Sequence, residues 1–246
     1  MSISTTALVA LAAGIGLLGI AAIWRDPYRL VRAEYRRQAR ALRFARRQRV
    51  VGATHWAYVE RTATDPAAPT LVLLHGYTGS KENGFLLARA LGRRYRLVLP
   101  DLPGWGGSSR EAEGDYGYAA QADRVASFLE AIGGRPVVLV GHSMGGGIAA
   151  VVAARYPYLV SHLGLLNASG IEFADNPFGL GVLAGQNPFG VVDAASLEQY
   201  LGILFHRRAA RPPIPWPAGH AVIAHRRSEG AFEQSVLDHI GRGAGR

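Results

Sequence analysis

The order of apolar and polar positions divides the chain into segments of different period. Residues 5–24, TTALVALAAGIGLLGIAAIW, form an uncharged, largely apolar run of 20, the length an α-helix needs to cross the hydrocarbon of a bilayer. Trp24 stands at its end, where aromatic belt residues lie. The run predicts a transmembrane anchor over residues 1–24. A cleaved signal peptide would place positive side chains before the apolar run, whereas MSIS precedes it and the arginines follow. Over residues 25–49, Leu30, Val31, Tyr35, Ala39 and Leu42 recur near helical spacing among arginines. That pattern predicts a basic juxtamembrane helix with a narrow apolar face, lying on an anionic membrane surface. A solvated basic linker is the plainer alternative.

From residue 50 the pattern changes to strands alternating with helices. VVGATHWAYVERT, residues 50–62, has the alternation and β-branched content of a strand or hairpin, and TDPAAPT marks the turn after it. TLVLLHG, residues 70–76, has no polar face, as a central parallel strand should. A helix is predicted over about Lys81–Leu91, and YRLVLPDLPGWGGSS, residues 95–109, is a buried strand ending in a glycine-rich loop. A helix over about Tyr118–Ile132, the strand-turn VVLVGHSMGG, a helix to about Tyr156 and the strand HLGLLNA complete the series. This alternation implies an α/β core over residues 50–170, with a mostly parallel sheet and right-handed crossovers. Residues 171–240 break the pattern with two NPFG turns at Asn176 and Asn187, the amphipathic SLEQYLGILFHRR and the turn-rich RPPIPWP. They predict helices joined by proline turns, and GRGAGR, residues 241–246, remains as a tail.

With 246 residues, 49% of them hydrophobic, the chain can bury one sizeable core. It has no cysteine, which excludes disulfides, thiolate metal sites and thiol catalysis. The net charge of +9 suggests nucleic acid until it is located: ten arginines against Asp26 and Glu34 put +8 of it within residues 25–49. About +1 remains for the globular part, so a nucleic-acid surface there is not expected. The arginine-rich flank also directs that part to the cytoplasm by the positive-inside rule.

The chemistry centres on Gly141-His142-Ser143-Met144-Gly145. A G-x-S-x-G between a buried strand and a helix forces its central residue into a strained conformation, and only small side chains fit two positions either side. Gly141 and Gly145 supply them, and the turn would lift the Ser143 hydroxyl to the helix N-terminus, where developing negative charge is favoured. Ser143 therefore reads as a nucleophile, against the plainer reading of a glycine-rich turn. In parallel sheets ligands bind at the carboxyl ends of the strands, where HGYTG, DLPGWGGSS and GHSMGG converge. The backbone N–H groups of Tyr77 and Met144 form the natural pair for an oxyanion hole. His75 and His142 read as packing and loop-shaping residues. No loop carries the P-loop or dinucleotide pattern, so neither nucleotide, cofactor nor metal is expected.

The combination HGYTGSKENG, YRLVLPDLPGWGGSS, LVGHSMGGGIAAVVAARYP and LGLLNASG resembles the α/β-hydrolase superfamily, and more narrowly membrane-anchored bacterial lipases and monoacylglycerol lipases. The resemblance implies Ser143 as nucleophile, Tyr77 and Met144 as oxyanion donors, and residues 171–240 as a lid over an acyl pocket. Phe178, Leu180, Leu183, Phe189, Leu201, Leu204 and Phe205 would line that pocket or pack the lid itself.

A serine hydroxyl needs a base, and the base a third group to orient it. In this superfamily the acid and the histidine follow the lid, yet after residue 240 only GRGAGR remains. His162, His206, His220, His225 and His239 are the histidines beyond the elbow, and Asp238-His239 are neighbours predicted in one helix. The chain thus reads as a lipase truncated after its lid, and the strand HLGLLNA as an uncovered apolar edge. The expected function is hydrolysis of lipid-like acyl esters through an acyl-enzyme, with membrane and ester as partners. A carbon–carbon bond hydrolase on the same fold and an inactive truncated fragment are the alternatives.

Overall fold

A computed structural model of the chain describes residues 5–133, 135–171, 177–211, 214 and 218–243. Six strands form one sheet: β1 (Ala45–Val51), β2 (Thr54–Arg61), β3 (Thr70–Leu74), β4 (Arg96–Pro100), β5 (Val137–His142) and β6 (Val160–Leu166). Their order is β1-β2-β4-β3-β5-β6. β1 with β2 and β2 with β4 run antiparallel, and the pairs from β4 to β6 are parallel. The helices are α1 (Thr5–Arg25), α2 (Tyr28–Ala41), α3 (Phe85–Leu91), α4 (Tyr118–Ala131), α5 (Met144–Arg155), α6 (Pro177–Leu183), α7 (Ala194–Leu204) and α8 (Ala218–Gly243). The α/β alternation expected from the sequence is therefore present, with an antiparallel hairpin added at one side.

The described residues form two compact bodies, one of residues up to Arg36 and from Pro188 to Gly230, the other of Arg37–Asn187 and the residues from Ala231 on. The sheet lies in the second. Because side chains alternate along a strand, Val59, Leu71, Leu73, Leu97 and Leu99 share one face. There they pack with Ala39 and Leu42 of α2, Phe44, and Phe85 and Ala88 of α3. On the opposite face Trp56 and Tyr58 meet Phe128 of α4, with ring centroids 4.4 and 5.3 Å apart. In the first body Asp193 caps α7 by accepting the Ser196 N–H at 2.8 Å. The Arg226 guanidinium lies 5.0 Å from the Tyr200 ring, and the rings of Tyr28 and His225 are 4.2 Å apart.

Two expectations for the amino-terminal part need correction. Among the described residues no helix is long and apolar enough to cross a membrane, which does not support the anchor expected over residues 1–24; the side chains of residues 5–7, 9–12 and 15 lie outside the described ones. What is present is α1, with Leu17, Leu18, Ile20 and Trp24 exposed, while residues 1–4 lie outside the described residues. The second correction concerns the basic helix, which the sequence carries to residue 49. α2 stops at Ala41, where the Phe44 N–H donates to Ala39 O (2.8 Å) and the Arg43 N–H to Arg40 O (2.9 Å). This pairing closes a helix through a left-handed residue, usually glycine, and here that residue is Arg43 with φ +59°. Residues 45–51 then run as β1.

Arg61 of β2 completes the junction. It is 6% exposed, and its guanidinium donates to the carbonyl oxygens of Leu42 (3.1 Å) and Ala88 (2.8 Å) and to that of Gly92. One side chain thus satisfies the final carbonyls of α2 and α3, groups a helix cannot pair internally. Burial and the nearby Arg93 lower its pKa from the usual value.

At the other side of the sheet β6 pairs only with β5 among the described strands. Leu163, Leu165 and Leu166 are 40%, 40% and 44% exposed. Among the described strands β6 is thus an edge of the sheet, with leucines exposed on both faces.

Candidate active site

Ser143 sits between β5 and α5 with φ +53° and ψ −122°, a conformation that costs a residue with a Cβ about 1–2 kcal/mol. The surroundings impose it. A Cβ on Gly141 would stand 2.1 Å from the Gly145 carbonyl oxygen, and one on Gly145 2.4 Å from that of His75. Strand, helix and the neighbouring β3 loop therefore meet at van der Waals limits, and any side chain at either position would push the elbow open. The Ser143 N–H donates to Leu166 O at 2.9 Å, and the Ser143 carbonyl accepts from Gly146 (2.8 Å), Gly147 (3.2 Å) and Ser169 (3.1 Å). The backbone of the turn is thereby fixed to β6, to the loop after it and to α5. The Met144 N–H opens α5, at the end that carries the helix's partial positive charge.

The His75-Gly76-Tyr77 loop lies against this turn: a Cβ on Gly76 would be 3.1 Å from both Ser143 Cβ and His142 Nδ1. The Tyr77 side chain is buried, and its hydroxyl donates to the Glu233 carbonyl on α8. His75 is buried with both ring nitrogens engaged, Nδ1 donating to Gly76 O (2.8 Å) and Nε2 accepting the Leu102 N–H (2.9 Å). It binds two loops together in its neutral form. Burial lowers its pKa below the ordinary 6.5, outweighing the opposing effect of Asp101. That is the loop-shaping role expected for His75 from the sequence.

Asp101, Lys81 and Phe232 were not foreseen. The fully buried Asp101 carboxylate accepts the Lys81 N–H (2.8 Å), the Lys81 ammonium (2.6 Å) and the Gly107 N–H (2.8 Å). Burial opposes the Lys81 charge, but Asp101 and Glu82 raise its pKa on balance. Charged residues inside two otherwise apolar, glycine-rich strand ends were the available signal. Phe232 of α8 packs on Trp105 and Tyr116, with centroids 5.3 and 5.0 Å away. Behind the elbow, the Tyr118 hydroxyl and Ser169 Oγ are hydrogen-bonded at 2.7 Å.

The structure thus brings Ser143, Met144, Gly141, Gly145 and the Tyr77 loop into one place at the carboxyl ends of β3 and β5. In the body that holds Ser143, no imidazole or carboxylate among the described residues hydrogen-bonds its hydroxyl. His162 lies within β6 beside Val138, and His239 shares a cavity of about 360 Å³ with residues 112–116, Phe232 and Ser235. Asp238 and His239 are consecutive residues of α8. Of the lid residues, Phe178, Leu180 and Leu204 are exposed, and the Leu183 side chain and Asn176 lie outside the described residues.

Comparison with known proteins fits this geometry. The α/β-hydrolase fold family matches residues 69–197. Lipase 1 of Psychrobacter immobilis is 32% identical over 182 residues, 71% of this chain and 56% of the relative. Human monoacylglycerol lipase ABHD6 is 35% identical over 113 residues, 45% of this chain and 34% of the relative. The chain thus spans from a third to just over half of these relatives' length. A solved membrane phospholipase A, described as a bacterial virulence factor, superposes with a TM-score of 0.80 at 32% identity, over 93% of this chain and 73% of that one. The serine elbow, the loops that meet it and the matched sequence together place this chain in the α/β-hydrolase family.

Proposed function

We propose that the chain carries the nucleophile side of a membrane-attached serine hydrolase for lipid acyl esters. The observation that carries the reading is Ser143, held in a left-handed conformation at the head of α5 with the Gly76 backbone against it. In this reading Ser143 Oγ attacks the acyl carbonyl carbon. The N–H groups of Tyr77 and Met144 receive the charge on its oxygen, and collapse expels the alcohol to leave an acyl-serine that water hydrolyses. Relatives named as lipases and a neighbour named as a membrane phospholipase support a lipid ester as substrate. Attachment through the exposed apolar residues of α1, with the globular part on the cytoplasmic side, completes the proposal.

A second reading is a fold that binds lipid without turnover. It is favoured by the lack of a hydrogen-bonded base at Ser143 among the described residues of its body, because a serine hydroxyl alone is a weak nucleophile. A fluorophosphonate probe applied to the full chain in detergent separates the two. Labelling that disappears in Ser143→Ala supports the hydrolase, and folded protein that takes up no label supports the second reading.

A further inference from the structure

We propose that the arginines at the end of α2 and on β1 form a docking surface for an anionic lipid bilayer. The proposal rests on the membrane attachment proposed above and adds to it a site and a lipid chemistry. Arg40 in the last turn of α2, Arg43 in the junction and Arg46 on β1 are all exposed, and none has a carboxylate partner among the described residues. The neighbouring Arg47 and Arg49 are engaged, with Glu60 (3.6 Å) and with the Ala131 carbonyl. Of the five arginines from Arg40 to Arg49, two are thus engaged within the protein and the other three face solvent.

Arg43 carries the most information. Its φ of +59° belongs to glycine at a helix end, so the chain keeps a cation where the backbone favours no side chain. The junction is also rigid: Arg61 holds Leu42 O from below, and the Phe44 ring stacks on Phe85 at 5.5 Å. The charges are thus presented from a fixed platform. On β1 the two-residue period puts Val50, 68% exposed, on the same face as Arg46. A cation beside an exposed apolar tip suits a headgroup layer over acyl chains. β1 offers no aromatic side chain on which a base could stack, and this favours lipid over nucleic acid.

The test uses the full chain with vesicles of phosphatidylcholine alone and of phosphatidylcholine containing phosphatidylserine. Three cations near an anionic surface give a preference on the order of a hundredfold at low ionic strength, shrinking as salt is added. The triple variant Arg40→Gln, Arg43→Gln, Arg46→Gln is expected to lose that preference yet still bind neutral vesicles, whereas Arg155→Gln, at the end of α5 on the far side of the sheet, should keep it. Binding to neutral vesicles reports on α1 attachment separately, and neither measurement depends on turnover. Equal binding of the parent chain to both vesicles, a triple variant that keeps the preference, or tighter binding to an oligonucleotide would each overturn the proposal. Arg43→Gly gives an independent check, since it should melt higher and bind anionic vesicles several-fold more weakly. A higher melting temperature with unchanged binding would remove Arg43 from the surface.

Discussion

β1 and β6 are the two edges of one sheet, and they present opposite chemistry. β1 carries Arg46, Arg47 and Arg49, with both faces exposed over most of its length. Charge of this kind blunts an edge against pairing with another strand. β6 carries Leu163, Leu165 and Leu166, each at least 40% exposed. An edge with apolar side chains on both faces is a template for association. β1 has the composition of a strand meant to stay outermost, and β6 has that of a strand meant to be covered. One edge is paired antiparallel and the other parallel, and it is side-chain charge that separates what each can meet.

The largest effect should come from undercutting the first edge. Arg61→Met removes the partner of the two buried carbonyls of Leu42 and Ala88 and of the part-buried one of Gly92 and is expected to cost about 3 kcal/mol, read by urea unfolding. Between the edges, His75 supplies a pH-dependent reference. Its folded pKa lies below the ordinary 6.5, so the unfolded chain binds the proton first as pH falls. Stability is full above about 6.5 and declines below it, by at most about 1.4 kcal/mol per pH unit. Melts from about pH 7 to about pH 5 should show that decline, and His75→Asn should reduce it, the remainder belonging to His142, whose pKa burial also lowers. Arg43→Gly should stabilise the fold by about 1 kcal/mol through relief of the left-handed strain, measured by the shift in thermal midpoint. The smallest change in stability, within about 1 kcal/mol, is expected for Leu163→Lys with Leu166→Lys, at partly exposed positions. That pair gives β6 the chemistry of β1 and should reduce self-association in sedimentation or light scattering. Equal association of parent and variant would show that this edge does not drive it.

Much of the centre of the sheet was legible, because its signals are local. VVLVGHSMGG states a strand, a tight turn and a helix within ten residues, and TLVLLHG and YRLVLPDLPG each pair an apolar run with a glycine turn. β1 was not legible for a physical reason. An edge strand exposed on both faces has no apolar alternation, and its arginines resemble those of α2 before it. The Asp101–Lys81 pair joins residues 20 apart that no local period connects. Residues 171–240 carry α6, α7 and α8 between their proline turns, and the last of these, Ala218–Gly243, is continuous through Gly230. Glycine in a helix interior costs only about 1 kcal/mol, and packing such as that of Phe232 on Trp105 and Tyr116 can offset it. What could not be read from periodicity was long-range polar pairing, and at this site such pairing sets the loops.

Arg61 also couples parts of the chain that lie far apart in sequence. The Leu42 carbonyl just past α2 and the Ala88 and Gly92 carbonyls at the end of α3 meet a guanidinium that belongs to neither helix and reaches them only from a strand. α2 closes its own last turn through the Phe44 and Arg43 N–H groups, so what Arg61 adds is the tie between the two ends. Displacing that one side chain would loosen both ends together, and with them the basic junction over the sheet face.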